Sequence, residues 1–452
     1  MKQLPEDFIK RITEQRPNDH SVFLDAIQRD VISSIQLNES KEAGLFQEAD
    51  QVPWWPKGRF LSERPKFTQD PLFHAGAYYS QESSSMFVGW VAEQVLAGKE
   101  QVRVLDLCAA PGGKSLLLSS IIGESGCLIS NEINKTRNAI LVENLVKWGA
   151  TNVIVTQGDA ASFAKCEDYF DLILVDAPCS GEGMFRKDDV AIAEWSLANV
   201  EMCARRQEDI LKDVLPLLRD DGHLIYSTCT FSVQENEAQC EWVVSQDGME
   251  GVSFDIPDDW QIEEVKGEGY VGYKFLPHKV KGEGFYCSVF KRADGLVSRG
   301  KYKGYPKIWY RKPNKTELAE AKKWLSLERE IIVSKYDTLH AINMSWEEYS
   351  ETVGKLFVTM AGVEIGKMLR EDLVPSHSLA LQPNVHSGVQ RLVVDRDQAL
   401  DYLCKEEMKI ETPITGWALV VFENISLGWV KVLKQRINNY YPKEWKIRYR
   451  ES

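Results

Sequence analysis

Two cysteines and an aspartate define the chemistry this sequence is equipped for. Asp176-Ala177-Pro178-Cys179-Ser180-Gly181-Glu182-Gly183-Met184 follows the apolar run Phe170 to Val175. Tyr226-Ser227-Thr228-Cys229-Thr230-Phe231 follows the run that starts at His223. Each string sets a cysteine just past a strand, over the crevice where open α/β sheets hold ligands. One strand-tip cysteine is usually an inert thiol. Two at neighbouring tips, one with an aspartate three residues before it, point to a nucleophilic site. Such a thiolate suits a pyrimidine. Cytosine C5 is too weak a nucleophile to attack a methyl sulfonium unaided, but sulfur adding to C6 makes C5 enamine-like. Loss of the C5 proton, then of the thiolate, closes the cycle. The base must first leave its stack to expose C6.

A methyl donor needs its own pocket. The loop Asp106-Leu107-Cys108-Ala109-Ala110-Pro111-Gly112-Gly113-Lys114-Ser115 follows the run Val102 to Leu107. Its Gly-Lys-Ser is not a triphosphate loop, because the glycine required five residues before Gly113 is Cys108. Nor is it a dinucleotide fingerprint, because Lys114 stands where the second glycine belongs. What remains is a strand-end acid, small residues and a tight turn leading into a helix N-terminus that faces a ligand. Glu132, at the end of the next strand, can accept hydrogen bonds from two ribose hydroxyls. Asp159, after the third strand, can hold an adenine amino group. Acids at three successive strand tips suit an adenosyl ligand without phosphates.

The elements that position these residues alternate. Strands are expected at Val102–Leu107, Cys127–Ser130, Val153–Val155, Phe170–Val175 and His223–Tyr226. Helices are expected at Ser115–Ile122, Thr136–Trp148 and about Met202–Leu218. Strand–helix alternation predicts parallel βαβ units in a doubly wound sheet, closed by a last strand at Gly284–Phe290. Before it, the chain to about Leu96 reads as two helical turns followed by irregular backbone interrupted by Pro53, Pro56, Pro65 and Pro71. After it, Thr415–Val432 reads as strands with turns at Gly416 and Gly428, in a small β-barrel.

The chain has 452 residues, 44% of them apolar, enough for more than one core. No apolar run approaches the ~20 residues of a membrane helix, and the start lacks a secretion signal. The expected location is therefore the cytoplasm. The nine cysteines show no Cys-x-x-Cys spacing, which argues against a zinc site and a disulfide framework. The net charge of −13 disfavours nucleic acid as a whole, but the charge is unevenly placed. Arg299, Lys301, Lys303, Lys307, Arg311, Lys312 and Lys315 form a run without acids, interleaved with Tyr302, Tyr305, Trp309 and Tyr310. Lys431, Lys434, Arg436, Lys443, Lys446, Arg448 and Arg450 form another, with Tyr440, Tyr441, Trp445 and Tyr449. The bland reading of either run is a solvated face. The aromatic residues raise the odds of RNA, since rings stack on unpaired bases while cations meet the backbone.

These strings resemble the Sun/nucleolar-protein family of RNA cytosine-5 methyltransferases, in its bacterial branch acting on small-subunit ribosomal RNA. The resemblance rests on Leu105 to Lys114, Asp176 to Lys187, Tyr226 to Phe231 and Glu235-Asn236-Glu237. It extends to His74 to Glu82, Gly428 to Val432 and Asn439 to Lys443. It implies a Rossmann-like methyltransferase sheet for S-adenosylmethionine, with an N-terminal lead-in segment and a C-terminal PUA-like RNA-binding region. The expected divisions are 1–97, 98–293, 294–375 and 376–452. In such enzymes the cysteine at the position of Cys229 is the nucleophile, the one at Cys179 helps release the product, and the aspartate at Asp176 contacts the cytosine N3/N4 edge. Cys108, Ala109, Ala110, Pro111, Gly112, Gly113, Lys114, Glu132, Arg137, Asp159 and Asp176 would line the cofactor pocket. No metal is implied. The expected partner is RNA, as 16S ribosomal RNA or the small subunit, bound by a monomer. One departure is Gln36-Leu37-Asn38, where relatives often carry Arg-Val-Asn; it places one RNA contact in doubt. Transfer RNA, a non-RNA methyl acceptor, and an RNA-binding assembly factor with vestigial cysteines stay open as alternatives.

Overall fold

The computed structural model describes residues 2–41, 44–293, 310–325, 329–334, 336–351, 356–383 and 385–448. Its centre is a mixed sheet. In spatial order the strands are Glu263–Gly267, Tyr270–Phe275, Phe285–Arg292, Leu218–Thr228, Phe170–Asp176, Arg103–Asp106, Cys127–Asn131, Val153–Thr156 and Val358–Ala361. The five strands from Leu218–Thr228 to Val153–Thr156 pair in parallel. They are buried on both faces, which is why they read as continuous apolar runs rather than alternating ones. The helices Phe87–Leu96, Gly113–Ile122 and Lys135–Trp148 pack their apolar sides on one face. Leu197–Val214 and Glu237–Val244 pack on the other. The register sets Asp176 beside Ser227, and Asp106 beside Ser130 and Leu174. The chemistry-bearing residues are thus gathered at the carboxyl edge of neighbouring strands.

The expected core strands and helices are present, with longer bounds at Leu218–Thr228 and an earlier start at Leu197. Others were not expected. Met249–Val252, Glu263–Gly267 and Tyr270–Phe275 extend the sheet antiparallel beyond Phe285–Arg292. At the opposite edge Val358–Ala361 pairs antiparallel with Val153–Thr156, so a segment from the later part of the chain completes the catalytic sheet.

The N-terminal segment corrects the sequence expectation. After helices Glu6–Gln15 and His20–Ile27 it forms a sheet ordered Gln51–Val52, Trp55–Phe60, Ser34–Leu37, Tyr78–Ser80. The prolines did not prevent strands: Pro56 lies within the strand Trp55–Phe60, and the others fall outside strands. Pro53 lies in the tight turn before Trp55, and Pro71 is the first residue of the helix Pro71–His74, where no N–H is required. Nor does Gln36-Leu37-Asn38 face solvent. Gln36 is fully buried, and the Asn38 Nδ2 donates to Gly76 O at 2.8 Å and Trp148 O at 2.7 Å. Lys41 Nζ donates to Lys147 O at 2.6 Å. Asn38 and Lys41 therefore satisfy the open carbonyls at the end of helix Lys135–Trp148 and dock the segment on the catalytic domain. Gly76 makes that approach possible. Its φ is +70°, and a Cβ there would lie 1.9 Å from Lys147 O. Gly76→Ala is expected to cost about 2–4 kcal/mol and lower the thermal midpoint by several degrees; an unchanged melt would show that the junction yields.

At the C-terminus, Gly416–Phe422 and Ile425–Val432 form a hairpin flanked by Gln390–Val393 in parallel and Ile437–Asn439 antiparallel. The expected turns at Gly416 and Gly428 are corrected. The turn is Glu423-Asn424, both at positive φ, while Gly428 sits inside a strand, where a Cβ would strike Tyr402 Oη at 2.2 Å. Leu339, Val363 and Ile365 share one apolar cluster with Leu419, Val421 and Trp429, so the region before this sheet packs continuously with it.

Candidate active site

The two strand tips meet. Cys179 Sγ lies 3.2 Å from Cys229 Sγ, and both side chains are half-buried. The contact with Cys229, then burial, hold the Cys179 thiol well above the ordinary range. Cys179 thus keeps its proton, and the sulfur that its S–H can face is that of Cys229. The two loops are pinned to each other. The Gly183 N–H donates to Cys229 O at 2.9 Å, and a Cβ on Gly183 would come within 2.7 Å of Gly284 O. Glu182, fully buried, accepts from Trp195 Nε1 at 2.9 Å and from the Phe231 N–H at 3.0 Å, and pairs with Arg11 of the first helix.

Beside the thiols Asp176 is held from two sides. Lys114 Nζ donates to Oδ2 at 2.7 Å, and Ser227 Oγ donates to Oδ1 at 2.8 Å. Burial opposes the charge on Lys114, but Asp176 outweighs it and Cys229 adds to it, so the ammonium is retained.

The cofactor loop begins at Asp106, which is fully buried. Ser115 Oγ donates to its Oδ2 at 2.7 Å, while Oδ1 has no partner. Burial pushes this carboxyl up to about 7. Leu107 to Gly112 make the turn, in which Ala109, Ala110 and Gly112 are buried, Cys108 is half-buried and Pro111 is exposed. Burial raises the Cys108 thiol far above its usual range, leaving it inert as a nucleophile. Gly112, at φ +124°, allows the turn into the helix Gly113–Ile122, whose N-terminus faces the strand tips. Glu132 is buried at the next tip, accepting from the Asn134 N–H at 2.8 Å and lying 3.3 Å from Arg137. Arg137 Nη2 also donates to Ala110 O at 2.6 Å, which ties the loop to the following helix. Asp159 differs from the rest. It is exposed, and its side chain caps Ser162 N at 3.0 Å.

Three contributors escaped the sequence reading. Ser227 and Glu235 carry hydrogen bonds to the site, and Asn131 Nδ2 bridges Leu107 O at 3.0 Å and Gly158 O at 2.9 Å. Ser227 and Glu235 lie within or just after the Cys229 string, so their place in the chain was the available signal.

The basic runs divide. Residues 299–309, with Lys303, Lys307, Tyr302, Tyr305 and Trp309, and Tyr449 and Arg450, lie outside the described residues. Arg311 is held by Glu317 at 2.7 Å, and Tyr310 packs against His340 and Tyr349, so neither forms a stacking platform. Tyr441 is 2% exposed, and Trp445 packs on it and on His377. Tyr440 is 41% exposed with its ring 4.5 Å from that of Trp417, and Lys431, Lys434 and Arg436 are nearby in sequence. Among the described residues no cluster of side chains could hold a metal ion. Among the described residues no helix is long and apolar enough to cross a membrane.

Comparison with known proteins places this geometry. A family described as 16S rRNA methyltransferase RsmB/F matches residues 93–291. The N-terminal domain of 16S rRNA methyltransferase RsmF matches 4–83, and the methyltransferase RsmF PUA domain matches 389–447. The chain is 28% identical to ribosomal RNA small subunit methyltransferase F of Aeromonas hydrophila, covering 98% of this chain and 97% of that protein. It is 28% identical to the protein of that name in Salmonella arizonae, covering 97% and 96%. Its fold is that of a methyltransferase homolog from Pyrococcus horikoshii (TM-score 0.55, 23% identity, 64% of this chain and 95% of that one). It is equally that of NSun6 from the same organism, solved with SFG (TM-score 0.55, 21% identity, 64% and 99%). Three matches in chain order, over a Rossmann-like methyltransferase sheet with a PUA domain behind it, make one assignment: the chain belongs to the RsmB/F family of S-adenosylmethionine-dependent rRNA methyltransferases.

Proposed function

We propose that this chain methylates C5 of a cytosine in 16S ribosomal RNA, through a covalent bond between Cys229 and C6. The observation that carries the reading is the 3.2 Å approach of two thiols beside an Asp176–Lys114 pair. Methylation of an amine or hydroxyl needs neither thiol. The relatives' names favour small-subunit ribosomal RNA over transfer RNA.

The residues at the strand tips fit S-adenosylmethionine. Asp106 Oδ1 is a buried acceptor without a donor, suited to an ammonium group, and Glu132 ends the next strand as an acceptor for ribose hydroxyls. Cys108 to Lys114, Arg137 and Asp159 complete the lining. When bound, the cofactor supplies an electrophilic methyl on a sulfonium. Cys229 adds to C6, and Asp176 meets the N3/N4 edge. Cys179, holding its proton until then, helps the thiolate leave after the C5 proton is lost. We take the protein to act as a cytoplasmic monomer.

The Cys179 role is tested by Cys179→Ala. A protein–RNA adduct resisting denaturant should accumulate; its absence would remove Cys179 from release. The cofactor site has its own pH test. Asp106, raised to about 7 in the free protein, binds a cation best when ionised. Affinity for S-adenosylmethionine should therefore be fullest above that pH and weaken by up to about tenfold per unit below it. Asp106→Asn should be weak at every pH; a variant that keeps the wild-type slope would reassign the titration.

The exposed Tyr440, with Lys434 and Arg436, is the stacking and phosphate surface of the PUA domain. Tyr440→Ala should weaken RNA binding by about tenfold at most salt concentrations. Lys434→Ala with Arg436→Ala should flatten the salt dependence. Unchanged affinity and slope would return this face to solvent.

A further inference from the structure

The mechanism above uses both sulfurs but leaves unexplained what fixes their spacing. They stand on separate loops, joined through the backbone by the Gly183 N–H to Cys229 O and otherwise held by side chains. Glu235, six residues past Cys229, is fully buried and has no cation within ion-pair distance among the described residues, unlike Glu182 with Arg11. Its Oε1 accepts from the Ser180 N–H at 2.8 Å and from Gln207 Nε2 at 3.2 Å. Its Oε2 accepts from Ser180 Oγ at 2.5 Å. Ser180 Oγ in turn lies 2.9 Å from Thr230 Oγ1. Gln207 also donates to Pro178 O at 2.9 Å, and Tyr226 Oη donates to Glu235 O at 2.6 Å. The residues on both sides of Cys179, and the residue after Cys229, are therefore tied to one side chain.

We propose that Glu235 is a positioning residue that sets the distance between the two thiols by clamping the residues that flank them. A buried carboxylate without a countercharge is costly, and burial pushes its pKa up, with Ser180 pulling against it. A carboxylate meets the need because all its partners here can donate: a backbone N–H, an amide and a hydroxyl. Ser180 and Thr230 each follow a cysteine directly, so slack at either moves a sulfur. The inference rests on the proposed roles of both cysteines only for its catalytic consequence; the spacing itself can be measured without turnover.

The experiment uses the full chain and the thiol oxidant diamide. Two thiols give up two hydrogens and two electrons to diamide, leaving a Cys179–Cys229 disulfide and the hydrazine. Glu235→Ala and Ser180→Ala should slow formation of that disulfide at least tenfold, read by mass spectrometry of peptides, with S-adenosylmethionine affinity within about twofold of wild type. Ser180→Ala keeps the carboxylate and the core volume, so it carries the test if Glu235→Ala fails to fold. Glu235→Gln retains an acceptor for the Ser180 N–H and a donor for its hydroxyl, and should recover most of the rate. Wild-type cross-linking in folded Ser180→Ala overturns the clamp. The second readout is turnover: kcat should fall at least tenfold with little change in KM, and the denaturant-resistant RNA adduct should build up as in Cys179→Ala. Slow cross-linking without an adduct, in a background where Cys179→Ala also yields none, leaves the clamp standing and removes the release role from Cys179. An adduct in Cys179→Ala but not in Ser180→Ala, with cross-linking unchanged, removes the clamp and leaves the release role.

Discussion

Cys229→Ala is expected to abolish methyl transfer, by at least about 10⁴-fold, while S-adenosylmethionine still binds. The separation of effects follows from the topology. The proposed nucleophile stands at the tip of Leu218–Thr228, whereas the proposed cofactor residues stand at the tips of Arg103–Asp106 and Cys127–Asn131, on the far side of Phe170–Asp176. Removing one sulfur leaves the buried frame at Asp106, Ser115 and Ser130 untouched. Without sulfur on C6, C5 has no enamine character, and orientation beside a methyl donor does not replace it. Incorporation of labelled methyl into 16S RNA and calorimetric titration of the cofactor measure the two halves. The variant carries a further signature. Contact with Cys229 is the largest cause of the raised Cys179 pKa. Its loss should let Cys179 react with iodoacetamide at lower pH than in the wild type. Turnover within tenfold of wild type would end the nucleophile assignment.

The parts of this site that were legible in the sequence share one property: they lie at the ends of strands buried on both faces. A continuous apolar run such as Phe170 to Val175 announces its own end, and the first polar residue past it, Asp176, falls on the ligand-facing edge. That logic located Asp106, Glu132, Asp176, Cys179 and Cys229. It located Asp159 less well, since the chain runs three residues past Thr156 before reaching it and leaves its side chain as an exposed helix cap.

What the sequence concealed depends on pairing across long separations. The sheet around Ser34–Leu37 consists of short strands with prolines in and between them, a texture that local pattern cannot distinguish from loop. Glu235 follows the Cys229 string at the head of a stretch dense in acids, and only the fold shows it enclosed between Ser180 and Gln207. The aromatic residues near the C-terminus illustrate the same limit. Tyr440 and Tyr441 are adjacent, just past the strand Ile437–Asn439, yet one is exposed and the other is buried against Tyr402 and His377. Composition announced a stacking surface, but only the packing of the chain after that strand decides which ring can serve it.

The second large effect is expected at Asp176. Asp176→Asn keeps the size of the side chain and removes its charge, and should lower kcat/KM about 10²–10⁴-fold with cofactor affinity little changed. Two consequences combine. A carboxylate can accept from the cytosine amino group and favours a proton at N3, which draws electrons from the ring as sulfur adds; an amide does so weakly. The substitution also strands Lys114. Its side chain is largely enclosed, burial works against its charge, and Asp176 is the largest influence in its favour. Leaving a buried charge unpaired costs about 3–5 kcal/mol, so the lysine answers by releasing its proton more readily. A lysine whose pKa is lowered is charged only below that value. The residual activity of the variant should therefore decline at a lower pH on its alkaline side than that of wild type. Ser227→Ala separates the two consequences, because it frees Asp176 Oδ1 while leaving the 2.7 Å contact with Lys114 intact. It should cost less, about tenfold, and leave the alkaline limb in place. Comparing the pH profiles of the three proteins on one RNA fragment decides the matter: if Asp176→Asn turns over within threefold of wild type, or its alkaline limb coincides with that of wild type, the paired Asp176 and Lys114 do not govern the ring.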